Sequence, residues 1–176
     1  MKALSEKQAI EKLRVMKDAF RQKIVDRYEF RAKSCATCET KGACCLDAHF
    51  VNVHVSRLEA VVMRRKIACL DPDLRTRIET RIERSITDYK LDEAIDTFSV
   101  TYACPLFEPG IGCTVHEVKP AACITHACYE REEDLPPDQL LDDIEMKIDR
   151  LNRQAYGSSE AWKSIPVALE LRSDDI

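Results

Sequence analysis

Eight of the nine cysteines fall into two tight groups. Cys35, Cys38, Cys44 and Cys45 read C-x2-C-x5-C-C, and Cys104, Cys113, Cys123 and Cys128 follow further along the chain. Thiolates are soft ligands that suit zinc and iron–sulfur clusters and suit magnesium or calcium badly. A C-x2-C hook turns back on itself, so both of its sulfurs can face one metal. Clustered cysteines in a chain with no export signal read as metal ligands before they read as disulfides, and the odd total of nine argues against a closed disulfide set. The expected chemistry is metal binding by all eight, with the two groups converging in space and Cys128 joining through its proximity to Cys123. Side chains of neighbouring residues tend to diverge, so Cys44 and Cys45 are expected to serve two metals or two edges of one polynuclear cluster. That favours iron, as an iron–sulfur cluster or as the ion, with zinc as the alternative.

The same residues admit other chemistry. A closed four-cysteine zinc site would only hold loops together, and a redox disulfide pair in a reducing compartment would be transient. Cys69, in Lys66-Ile67-Ala68-Cys69-Leu70, is expected to pack as a small buried hydrophobe. His116 lies three residues after Cys113 and His126 two before Cys128, so both are within reach of the same metal. His49 and His54 flank a β-branched run, and nothing in their spacing compels ligation. An enzyme built on the centre would need a metal position open to water or substrate, beside a general acid or base such as His116, His126 or Glu117. A binding protein, whether carrier, sensor, redox centre or structural unit, needs no such group. No acid–base constellation stands out beyond the cysteines.

The chain that must position these residues has 176 residues, of which 45% are hydrophobic, enough to bury a core without depending on metal for its existence. A single mainly α-helical domain is expected, organised as an N-terminal helix over 4–33, a cysteine-cluster region over 35–128 and a C-terminal helical segment over 137–171. The first twenty residues alternate charged and apolar positions without a continuous apolar run, so neither a secretory segment nor a membrane span is expected, and the default compartment is the cytoplasm. A net charge of −4 and a pI near 5.7 provide no general attraction to nucleic acid or to an anionic membrane. The expected partner is the metal ion or cluster itself.

Apolar periodicity marks the elements. Leu4, Ile10, Leu13, Phe20, Ile24 and Tyr28 recur at helical intervals. Residues 50–55, FVNVHV, suggest one short strand. Ser56 and Glu59 have capping-box spacing and open a helix to about Cys69. Asp71-Pro72 opens another, with Leu74, Ile78, Ile82, Ile86 and Tyr89 on one face and a solvated Arg/Glu face opposite. The stretch 102–128 is turn-rich through Pro105, Pro109, Gly110, Gly112 and Pro120. With few regularly spaced apolar residues, it and 35–45 are expected to depend on ligation for their order. Pro136-Pro137 introduces a last helix through Leu151 that Gly157 ends, and Ile165-Pro166-Val167 is expected to dock on the core.

Six blocks in order carry a resemblance to a known family: Cys35-x2-Cys38, Gly42-Ala43-Cys44-Cys45, Val53-His54-Val55-Ser56-Arg57-Leu58-Glu59, Cys104-Pro105-Leu106, Gly112-Cys113-Thr114-Val115-His116 and Lys119-Pro120-Ala121-Ala122-Cys123. Over about residues 35–128 the chain resembles the CxxCxxCC cysteine-cluster family, also called the YkgJ family and described as a zinc- or iron-chelating domain. The resemblance implies a small cytoplasmic metal-binding domain and ligand duty for Cys35, Cys38, Cys44, Cys45, Cys104, Cys113 and Cys123. The chain departs from that pattern in the five residues between Cys38 and Cys44, in Lys119 and Ile124 where arginine is usual, and in His116 where tyrosine is usual. Lysine has no bidentate fork and isoleucine no donor, so the changes touch anion binding rather than ligation. A similar cluster occurs in the flagellin lysine methylases, a likeness confined to the cysteines, and it motivates the alternative of a protein-modifying metal enzyme.

Overall fold

Ser5 opens the first helix, α1 (Glu6–Arg27), by a reciprocal capping box: its side chain accepts from the Gln8 backbone while the Gln8 side chain accepts from the Ser5 N–H. In a computed structural model, which describes residues 3–33, 42–46, 51–92, 96–158 and 160–170, this helix belongs to the first of two compact units. That unit comprises Met1–Lys41 and Lys119–Glu160, and the second comprises Gly42–Val118 and Ala161–Ile176. The described residues are mainly helical, with seven α-helices and only two sheets of two strands each.

In the first unit α1 packs against α5 (Ala121–Thr125) and α6 (Asp138–Tyr156). Ala9, Leu13, Phe20 and Ile24 bury one stripe of α1, and Ile144, Ile148 and Leu151 one stripe of α6. The two helices are joined near their ends by the Leu4 N–H donating to the Gln154 carbonyl and by the Tyr156 hydroxyl donating to Glu6. Gly157 closes α6 with a left-handed φ of 78°, a conformation that would strain a side-chain-bearing residue. The expected helix over 4–33 is thus shorter: α1 stops at Arg27, and a 3-10 turn over Glu29–Arg31 carries the chain to Lys33.

The second unit is built on α3 (Arg57–Ala68) and α4 (Pro72–Tyr89), both starting where the caps place them: Ser56 with Glu59, and Asp71 with Pro72. The strand expected over 50–55 is described only as β1 (His54–Val55), which pairs antiparallel with β4 (Lys163–Ser164) in the register His54↔Ser164 and Val55↔Lys163. Phe50 lies outside the described residues. The chain then turns into α7 (Ile165–Leu169), which packs on α3 and α4 with Ile165 and Leu169 buried, as expected of a docking tail. Tyr102 is fully buried at this junction. Its hydroxyl donates to the Val53 carbonyl and accepts from the Ile165 N–H. Met63, Ile67, Ile78, Ile82 and Ile86 complete one core with Tyr102, Leu106 and Val115.

Those last three residues correct one expectation. The segment after residue 102 does not depend on ligation alone, because Tyr102, Leu106 and Val115 anchor it in the core and Ala121 and Ile124 are buried in the first unit. Their spacing is irregular because the segment is mostly turns and short elements, and periodicity therefore does not reveal them.

Candidate metal centre

In the second unit the left-handed Gly42 (φ 79°) starts a single helical turn, α2 (Ala43–Leu46), in which the Cys45 and Leu46 N–H groups donate to the Gly42 carbonyl at 2.8 and 2.9 Å. The Phe107 ring lies against Gly42 where a Cβ would stand, so both the conformation and the close approach require glycine. Within the turn the Cys44 and Cys45 sulfurs are 4.0 Å apart. This corrects the expectation of divergence. Two thiolates bound at about 2.3 Å to one tetrahedral metal stand roughly 3.8 Å apart, so the adjacent pair suits a single metal as well as a cluster.

The other two thiols of this unit stand on a hairpin. β2 (Phe107–Glu108) pairs with β3 (Gly112–Cys113) in the register Phe107↔Cys113, and Pro109-Gly110-Ile111 forms the turn. Cross-strand partners point to one face of a ribbon, so Cys113 shares the face from which Phe107 meets Gly42. Cys104 closes the base: its carbonyl accepts from the Phe107 N–H at 3.3 Å, and its own N–H donates to the Cys45 carbonyl at 2.7 Å. That last bond joins the two sequence groups through the backbone. Below the hairpin, the Thr114 N–H and hydroxyl both donate to the Leu106 carbonyl.

Burial pushes the Cys104 thiol up to about 12, and nearby Cys113 adds to the rise; backbone N–H groups of Leu106 and Phe107 and the Arg81 charge pull the other way. Arg81, on α4, donates from Nε to the Pro105 carbonyl at 2.8 Å and from Nη1 to Glu108 at 2.7 Å. Arg77 joins the same carboxylate. Hydrogen bonding from Arg81 foremost holds Glu108 below the usual carboxylate range. The Arg/Glu face of α4 is therefore not wholly solvated: two of its arginines clamp the cysteine hairpin.

In the first unit Cys123 lies on α5, and Cys128 forms an isolated antiparallel bridge with Lys33, whose N–H donates to the Cys128 carbonyl at 2.9 Å. Cys35 and Cys38, and the expectation placed on their C-x2-C hook, lie outside the described residues, as does His49. The expected convergence of all eight thiols therefore rests in part on residues the structure does not describe. Cys44, Cys45, Cys104, Cys113, Cys123 and Cys128 are not in disulfides. Among the described residues no three His, Cys, Asp or Glu side chains already form a metal cage.

Among the remaining side chains, Cys69 departs from its sequence reading. Cys69 is exposed at the C-cap of α3, not buried, because two residues beyond Ile67 it falls on the side of the helix opposite the stripe of Ala60, Met63 and Ile67. His116 and His126 are exposed, and Glu117 is held by Lys66 at 2.8 Å, which lowers its pKa. His54 is buried, its Nε2 2.9 Å from the Thr97 hydroxyl and its ring stacked on Phe98. Sequence reasoning missed Arg81; its only signal was its place among the many charges of α4. No family model, curated protein or solved structure matches this chain. No helix among the described residues is long and apolar enough to cross a membrane.

Proposed function

We propose that this is a metal-binding protein that holds iron, as an iron–sulfur cluster or as the ion, or zinc, through cysteine thiolates in a reducing, cytoplasmic setting. The observation that carries the reading is the Cys104 N–H to Cys45 carbonyl bond. It draws a thiol-bearing hairpin onto a thiol-bearing helical turn from nearly sixty residues away in sequence. Four soft donors on one backbone framework, all partly withdrawn from solvent and with a guanidinium beside them, suit a thiophilic metal and little else. The first unit carries Cys123 and Cys128, and the Lys33–Cys128 bridge stands only two residues before Cys35 in the chain. The ordered blocks that resemble the CxxCxxCC family point to the same chemistry.

The metal would supply the energy that closes thiols into a cage, while the protein supplies their spacing and the charge around them. Anaerobic purification with metal and acid-labile sulfide analysis tests the proposal. Iron with sulfide identifies a cluster, iron alone an iron site and zinc without sulfide a zinc site. A full chain that retains none of these and takes up neither metal in the reduced state refutes the reading.

A further inference from the structure

Arg81 is spent unusually for a helix-surface arginine. Its Nε and Nη1 are committed to the Pro105 carbonyl and to Glu108, the first immediately after Cys104 and the second on the cysteine hairpin. Its Nη2 is buried and has no acceptor among the described residues. A buried guanidinium N–H without a partner is costly and rare in native proteins, and it marks a place where an acceptor belongs. A guanidinium is a planar fork, so fixing two of its nitrogens fixes the direction of the third.

We infer that Arg81 is a positioning residue of the metal centre, whose Nη2 donates to the thiolate sulfur of Cys104 or Cys113 when metal is bound, with Glu108 holding the fork in place. The inference rests on the thiolate-metal reading above. Its chemistry follows from charge: a divalent ion with several thiolates is net negative, and N–H donors to sulfur spread that charge and tune affinity and potential. A bare structural pin would need only the two bonds that are made.

The test uses the reduced full chain, with Zn(II) affinity read by chelator competition and Co(II) as the spectroscopic probe. Arg81→Met should weaken Zn(II) binding about ten- to a hundredfold, the usual cost of losing an outer-shell partner, and should move the sulfur-to-cobalt charge-transfer band. Arg81→Lys should restore part of the affinity. Glu108→Gln removes the ion pair but leaves the guanidinium on Pro105, so it should lower the metal-free melting temperature yet weaken Zn(II) binding less than Arg81→Met does. Equal losses of affinity in Arg81→Met and Glu108→Gln, an unmoved cobalt band, or unchanged affinity in Arg81→Met would each overturn the assignment while leaving metal binding intact. If the unsubstituted chain binds neither ion, the assignment of Arg81 is overturned, and the iron and sulfide analysis above decides separately whether the metal reading fails with it.

Discussion

At His54 the consequences of burial can be read as a pH dependence. Desolvation lowers its pKa, and the Asn52 backbone and Asp96 only partly oppose this. Because the unfolded chain takes up the proton more readily than the folded one, the folded state is favoured above the unfolded histidine value of about 6.5 and loses that advantage as pH falls through it. Glu108 and Asp134, whose pKa values are lowered by Arg81 and Arg131, lose their contributions further down, below their ordinary values of 4.5 and 3.8. Denaturant unfolding of the wild type should therefore show stability already falling between about pH 7 and 5. His54→Gln, which keeps a polar group for Thr97 but does not titrate, should flatten that part of the profile. An unchanged slope in the variant would remove His54 from the account.

Elements were legible where a short-range rule fixes them. Ser56 with Glu59, Asp71 with Pro72, and Gly157 each mark a helix end by chemistry within four residues, and α3, α4 and α6 begin or end there. β4 escaped notice because two residues carry no periodicity and its partner β1 lies over a hundred residues earlier. The β2–β3 hairpin was hidden in the same way, although Pro109-Gly110 announces its turn. The eight thiols are legible as candidate ligands by residue type and spacing, whereas the arginine clamp beside Cys104 is not, since nothing local links Arg81 to Pro105. The β1–β4–α7 junction should be measurable through Tyr102→Phe, which removes a buried hydroxyl that bonds both Val53 and Ile165. A loss of about 1 kcal/mol, or roughly 2–4 °C in melting temperature for a chain of this size, is the expected outcome. Ser56→Ala should cost a similar amount, about 1 kcal/mol, through the lost cap; no change in either variant would mean that these bonds are replaced by water without loss.

Across the whole molecule, the core anchors the thiol-bearing segments unevenly, and under the proposed function metal would order the rest. α2 buries no residue and is a four-residue turn, too short to hold itself, while the hairpin segment is anchored by fully buried Leu106 and Val115. In metal-depleted protein, amide exchange should therefore accelerate at Cys45 and Leu46 and stay slow at Tyr102 and Thr114, which donate to Val51 and Leu106. Uniform loss or uniform retention across these four amides would contradict that division. Both units are also discontinuous: the second contains Gly42–Val118 and is completed only by Ala161–Ile176, where β4 and α7 lie. A ribosome-bound chain of 160 residues thus carries every cysteine but lacks the strand that pairs with His54 and Val55 and the helix that covers α3 and α4. Domains otherwise settle progressively during synthesis. Here the thiols of the second unit are synthesised before β4 and α7, the elements that complete their scaffold.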